Sequence, residues 1–300
     1  IATNRVRTSS AIAPTYTRGI VEQFGTSLPS DGPDGLVGVG LGRSFKNAAH
    51  APHTPGYVHA DTTFDTPCRI KVAGLDVDVM PAPSDADDSV TFSFPALDLA
   101  ANNLVWPVLF NVFAIRGEEY RDPTVLLTGL DHLLGLQVEH LVGAHGIPIS
   151  GRAAIARRVG RYRDAIQFLW DQTVRHTNKG ATSADLAHLV RLPDWADDDY
   201  LTTEYYGVAE HHARQIRSGL FGFFDGLEAN LFPHSTVERH DRFIAGFGGR
   251  ETVRGLATRA LDDNDVRWAL ELASMLATSS ASDEGDRKLL ARVLRTIARS

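Results

Sequence analysis

The sequence predicts an α/β fold in which short strands fill the first half and helices the second, and two observations along the chain predict it. Up to about residue 115 the chain is rich in Gly, Pro, Thr and Asp, and its apolar residues fall in short alternating runs, the period of strands. From Gly151 onward the apolar residues recur at helical spacing nearly to the end. The organisation that follows is a sheet-bearing domain over 1–150 and an all-helical domain over 151–300, and a chain of 300 residues is long enough for both to bury a core.

The elements follow in order. Val37–Gly42 reads as a glycine-rich turn. Cys68–Val72 and Leu75–Val79 both alternate and are separated by Ala73-Gly74, a hairpin signal. Ser89–Phe94 and the run from Val108 to Ile115 read as further strands, with loops at Pro81–Asp88 and Asn102-Asn103. Pro123–Leu136 carries Leu126, Leu127, Leu130, Leu133 and Leu134 on one helical stripe, weakened slightly by Gly129. A short buried strand at Leu141-Val142 follows. Arg152–Asn178 is one long helix closed at Gly180, Ser183 is placed to cap the next, and Ser235–Glu238 has the capping-box form. The stretches 250–261, 264–278 and 284–299 are amphipathic and of similar length, which suggests antiparallel helix pairs of the tetratricopeptide kind, without a strict repeat motif.

Composition excludes several classes. A formal charge of −7 argues against a general nucleic-acid binder, since the phosphate backbone demands a basic face. Arg152, Arg157, Arg158, Arg161 and Arg163 are balanced by acidic segments and are expected on a solvated helix face. No run of about 18 apolar residues is present to cross a bilayer. The one cysteine, Cys68, excludes an internal disulfide framework and a cysteine-based zinc knuckle, so metal chemistry would use His and carboxylates. The chain opens Ile1-Ala2-Thr3-Asn4 with neither methionine nor a signal-like segment, an expected sign that a native N-terminal portion is missing, and the compartment is not legible.

His145 is the most informative candidate. Leu141-Val142 delivers it at a strand end, Gly143 and Gly146 let the backbone turn, and Pro148 ends any ladder, so its imidazole suits either a metal or a local hydrogen bond. Asp85, Asp87 and Asp88 concentrate carboxylates in one loop, where they could face a cation or simply water. Arg116 ends a strand-like run, a place for either an anionic ester or a surface ion pair. His211 and His212 sit at a helix start, where adjacent side chains diverge, so at most one faces a given cleft. Phe221, Phe223 and Phe224 are expected in the core. A GxSxG elbow, a Walker loop and a CxxC pair are absent, and Gly38–Arg43 has the wrong spacing for a dinucleotide fingerprint.

The order of the segments adds a resemblance. Ile115-Arg116-Gly117 with Arg121-Asp122-Pro123, then Gly143-Ala144-His145-Gly146-Ile147-Pro148, Asp171-Gln172-Thr173 with Asn178-Lys179-Gly180, Tyr205-Tyr206-Gly207 with His211, and Gly222 with Phe224-Asp225-Gly226 follow one pattern. Over roughly residues 15 to 300 the chain resembles the alkylsulfatases of the metallo-β-lactamase superfamily, with their helical dimerisation domain. The resemblance implies the C-terminal part of a four-layer αββα sandwich followed by dimerisation helices. It also implies a pair of zinc ions, with one site possible here, and metal-activated water that cleaves a sulfate ester or related small anionic or amphiphilic ester. Homodimerisation through the helical domain is implied as well.

Residue by residue, the resemblance makes His145 a metal ligand and sets Asp85 where the family has a glutamate ligand after a Pro-Gly-Thr segment. Arg116 matches the sulfate-gripping arginine, and His211 matches a histidine that reaches the site from the helical domain. The departures are definite. The Thr-His-x-His-x-Asp-His motif is not reproduced by His50, His53, His59 and Asp61, and is expected upstream of Ile1. Asn103 stands where a second glutamate ligand is expected, Pro107 and Phe110 where two histidines are, and Phe24-Gly25-Thr26 replaces a substrate-contacting Tyr-Gly-Asn. Asn is a poorer zinc ligand than a carboxylate. The alternative reading is a degenerate, non-catalytic member retained as a dimeric scaffold or binding protein.

Overall fold

The computed structural model describes residues 15, 18, 19, 21 and 22, then 61–109, 112–113 and 120–298. The expected Val37–Gly42 turn, Phe24, Thr26 and Arg116 lie outside the described residues. Contacts divide the chain into two units, Ile1–Gly226 and Leu227–Ser300.

The first unit is built on six strands in sequence order, β1 (Cys68–Val72), β2 (Leu75–Pro81), β3 (Val90–Phe94), β4 (Leu99–Asn102), β5 (His140–Gly143) and β6 (Ile149–Ser150). The expected hairpin is present. Ala73 and Gly74 both have positive φ, 49° and 86°, the pairing of left-handed residues that a two-residue turn between right-twisted strands requires. Cross-strand neighbours Arg69 and Asp78 then meet as an exposed ion pair, which adds little stability. All pairings are antiparallel except β4 with β5, which run parallel in the register Leu99–His140 to Asn102–Gly143. A parallel pair needs a crossover, and helix α1 (Pro123–Gly135) lies within it.

Asp122 caps α1 by accepting from Thr124 N at 2.8 Å, and Pro123 occupies the first turn, where its missing N–H costs nothing. Of the predicted stripe, Leu126, Leu127, Leu130 and Leu133 are buried, and Leu134 packs half-buried against the same core. Gly129 belongs to the same packing: a Cβ there would stand 3.1 Å from a Leu104 methyl, so the glycine allows a close approach instead of weakening the helix without return. Helix α2 (Arg152–Thr177) lays Ile155, Val159, Tyr162, Ile166 and Leu169 into the same core. The core continues through α3 (Ser183–Leu189) and α4 (Ala209–Phe221) with Leu186, Ala213 and Ile216.

Four expectations are corrected. Val108 and Leu109 are buried or partly buried but not strand: their φ values are 54° and 61°, and their N–H groups bond to Tyr200 O and Leu201 O at 2.7 and 3.0 Å. Thr182, not Ser183, caps α3, in a reciprocal capping box with Asp185. Phe221 and Phe223 are exposed, not core. The arginine face of α2 is only partly solvated, because Arg158 grips Asp199 through two hydrogen bonds of 2.6 and 2.8 Å, with side-chain exposures of 22% and 15%.

The Arg158 hydrogen bond is the main cause that holds the Asp199 carboxyl below its ordinary range, helped by the Leu201 N–H and opposed by burial. A carboxylate whose folded pKa is depressed contributes stability above its unfolded pKa, and that contribution is lost as pH falls through the folded value. Asp199→Asn is therefore expected to cost about 1–2 kcal/mol at pH 7, a gap that closes below about pH 4. Thermal unfolding of both proteins across that range measures it; a gap independent of pH would refute the assignment.

The second unit holds α5 (Thr236–Gly246), α6 (Arg250–Asp262), α7 (Val266–Thr278) and α8 (Glu284–Ile297). Ser235 caps α5 through Glu238 N at 3.3 Å, as the sequence predicts, while the return bond of a full box is not made. Ile244, Val253, Ala257, Leu272 and Leu276 form one small core, and Ala260, Ala269, Ala273 and Val293 another. Asp286 is the exception to this apolar packing: it is fully buried, beside Arg250 and Arg254.

Candidate functional site

The parallel β4–β5 pair, inside the sheet, brings the two chain segments with the most chemistry to the same end of the strands. Asn102, the last residue of β4 and 5% exposed, ties them together. Its Oδ1 accepts from Leu104 N at 2.8 Å and Val105 N at 3.0 Å, and its Nδ2 donates to Val142 O on β5 at 3.2 Å. Ala144 N continues the ladder by donating to Asn102 O at 2.8 Å. The chain therefore leaves both strands in fixed directions, with Asn103 on one exit and His145 on the other.

Asn103 and Asp85 meet. Asn103 Nδ2 donates to Asp85 Oδ1 at 2.6 Å and stands 3.2 Å from both the Ser84 and Ser89 hydroxyls, which joins the β2–β3 loop to the end of β4. Asn103 Oδ1 is buried and without a hydrogen-bond partner among the described residues. Asp85 lines a cavity of about 140 Å³ together with Asp87, Tyr120, Arg121 and Asp122.

His145 sits one residue before Gly146, whose φ is 83°. A Cβ at Gly143 would stand 2.6 Å from His145 O, so this tight exit from β5 demands glycine. The imidazole packs on Trp106 with ring centres 3.6 Å apart. Trp106 in turn donates from its indole N–H to Asn103 O at 3.0 Å and stacks on Tyr206 with ring centres 6.1 Å apart. Asn103 and His145 are thus linked through one indole.

His211 lies in the first turn of α4, edge-on to Phe113 with ring centres 5.3 Å apart, and its Nε2 is 3.5 Å from Glu210 Oε1. It lines a second cavity, of about 420 Å³, which does not include Asp85. His212 turns the other way: it is fully buried and its Nδ1–H donates to Val208 O at 2.7 Å. The pair divides between cleft and core.

The sequence reading sets Asn102 in a loop, where the structure makes it the last residue of β4, and it passes over Trp106 and Tyr120. Tyr120 fills the space over Gly219, where a Cβ would stand 2.7 Å from its ring, and its hydroxyl is buried without a partner among the described residues. Burial, with the Asp122 carboxylate second, pushes that hydroxyl well above the ordinary tyrosine range. Its place between Arg116 and Pro123 in the motif was the available signal.

The donor set tests the implied metal. A buried amide oxygen at Asn103 and a carboxylate at Asp85 are hard donors, and the imidazole of His145 is the commonest nitrogen donor. Yet no three His, Cys, Asp or Glu side chains converge among the described residues, so these residues do not complete a metal centre by themselves. The Asn103 amide N–H also occupies one lone pair of Asp85 that a cation would need.

The arrangement is that of a mixed sheet followed by helices, with chemistry collected at strand exits, and comparisons with known proteins identify it. Residues 182–300 match the family model described as alkyl sulfatase dimerisation. A linear primary-alkylsulfatase from a Pseudomonas species is 33% identical over 297 residues, 98% of this chain and 55% of that protein. An (R)-specific secondary-alkylsulfatase, also from Pseudomonas, is 30% identical over 214 residues, 70% of this chain and 32% of that protein. A double mutant of the sec-alkyl sulfatase PisA1 superposes with a TM-score of 0.87 at 24% identity, over 97% of this chain and 46% of that one. The chain is a homologue of the alkylsulfatases, sharing their fold, and it includes their dimerisation domain. It spans about half the length, or less, of the relatives it matches.

Proposed function

We propose that the protein to which this chain belongs is a sulfuric-ester hydrolase that cleaves an alkyl sulfate or a related small anionic ester. The observation that carries this reading is the likeness to a linear primary-alkylsulfatase along 98% of the chain. In this reading residues 1–150 supply the sheet-borne catalytic part and 151–300 the helices of a homodimer. Asp85, Asn103 and His145 are contributors to a metal centre, with zinc the metal that the resemblance implies and further donors outside the described residues. By the resemblance, Arg116 is assigned to the sulfate group and Phe24 and Thr26 to the substrate, and His211 to the reaction from the helical side.

The test is turnover. The protein expressed from its complete native coding sequence is expected to release inorganic sulfate from a medium-chain alkyl sulfate and to lose that activity on chelation. His145→Ala and His211→Ala are each expected to lower kcat/KM by about 100-fold, the scale of one lost metal ligand or proton-transfer group. A folded, metal-loaded protein with no turnover on primary or secondary alkyl sulfates would overturn the reading.

A further inference from the structure

Arg217 is a buried charged residue that the proposed hydrolase does not use. It is 6% exposed on α4 and lines the 420 Å³ cavity with His211, Arg214, Ser218, Ser183 and Asp225. One guanidinium nitrogen donates to Phe224 O at 2.7 Å, and the guanidinium carbon stands 5.1 Å from the centre of the Phe221 ring. Its Nε is buried and has no hydrogen-bond partner among the described residues. The bond to Phe224 O accounts for a donor at this place but not for a cation, and a buried guanidinium with an unused N–H is costly unless something else meets it.

The surroundings indicate what that is. Arg214, one turn earlier, adds a second guanidinium, and Ser183 and Ser218 add hydroxyls. Asp225 is the carboxylate among the described lining residues, so cationic groups are in excess. Phe223, 87% exposed, gives the same cavity an apolar lining that nothing in this unit covers among the described residues.

We propose that this cavity is an oxyanion-binding site in which the Arg217 and Arg214 guanidinium groups hold the anion and Phe223 meets an apolar tail. The ligand chemistry is an oxyanion of sulfate or carboxylate type, either free or as the head of an amphiphile. Planar guanidinium groups suit such oxygens because they offer parallel donors and stay charged at all working pH values. The choice of sulfate as the natural anion rests on the hydrolase reading, through His211; the binding site itself does not.

Titration calorimetry with inorganic sulfate, and separately with decyl sulfate below its micelle concentration, tests the site. One saturable sulfate site per chain is expected, weakened about 10-fold or more in Arg217→Gln and by about threefold in Arg217→Lys, as expected when a charge-assisted bond is lost or rebuilt. Arg214→Gln, at an exposed position, is expected to weaken binding by about threefold without threatening the fold. Tighter binding of decyl sulfate assigns the amphiphile as ligand, and equal binding assigns the free ion. The proposal is overturned if wild type shows no saturable sulfate binding, or if Arg214→Gln and a folded Arg217→Gln bind as wild type does. Sulfate binding without turnover would sink the hydrolase reading alone, and turnover unaffected by both substitutions, with no sulfate binding, would sink this site alone.

Discussion

Asp286→Ala is expected to destabilise the Leu227–Ser300 unit by about 3–5 kcal/mol, the scale for breaking a buried ion pair from one side. The carboxylate is fully buried, and both of its oxygens are engaged. Oδ1 accepts from Arg254 Nε at 2.8 Å, Oδ2 accepts from Asp283 N at 3.1 Å, and Arg250 closes the other side as an ion pair. Asp283, the N-cap of α8, accepts in turn from Asp286 N at 3.0 Å, so Asp286 both completes the capping box and neutralises two arginines of α6. Truncation leaves the Asp283 cap in place but removes the reciprocal bond to Asp283 N, and it leaves Arg250, 20% exposed, with its charge half desolvated. Denaturant unfolding measures the loss. Asp262→Asn, which breaks an exposed pair with Arg292, provides the contrast and is expected to cost less than about 0.5 kcal/mol. Equal effects of the two substitutions would refute the argument from burial.

Asn102→Ala carries the second large effect, and it reaches the candidate site. Three backbone groups, Leu104 N, Val105 N and Val142 O, lose their side-chain partner, the first two of them in bonds that are buried. Leaving buried polar groups unsatisfied costs about 1–3 kcal/mol each before relaxation, so a loss of about 2–4 kcal/mol is expected once part of the loop readjusts. Because the same side chain fixes the exits that carry Asn103 and His145, turnover of the full-length protein is expected to fall more steeply than stability predicts. Asn102→Asp keeps the two accepted bonds and loses the donated one, and is expected to fall between. Unfolding curves and sulfate release on the same samples separate the two effects. If Asn102→Ala matched wild type in both, the tie between β4 and β5 would have no structural weight.

How much of this was legible in the sequence depends on how local each cause is. The β1–β2 hairpin is written in two adjacent turn residues, Ala73 and Gly74, and the α1 stripe in the spacing of its leucines. Both could be read because the deciding interactions lie within a few residues. Val108 and Leu109 could not, since an apolar run looks alike whether its backbone pairs with a strand or, as here, with Tyr200 and Leu201 about ninety residues on. Phe221 and Phe223 misled for a related reason: aromatic content tells how much a residue gains from burial, not whether a neighbour exists to bury it. The meeting of Asp85 and Asn103 was suggested by resemblance and not by spacing, and the part played by Asn102 was invisible because its partner Val142 is 40 residues away.

The direction of β5 has a geometric consequence for the site. His145 follows β5 as Asn103 follows β4, and the parallel register sets Asn102 opposite Gly143. Had β5 been laid against β4 in the opposite sense, the same four-residue strand would have delivered its exit at the far end, a displacement of about 13 Å at the rise of an extended chain. No change of side chain could recover that distance. Co-location of the two exits is therefore a property of connectivity: the path through α1 turns a sequence separation of some forty residues into two neighbouring ends, and the length of that path can vary without moving either end.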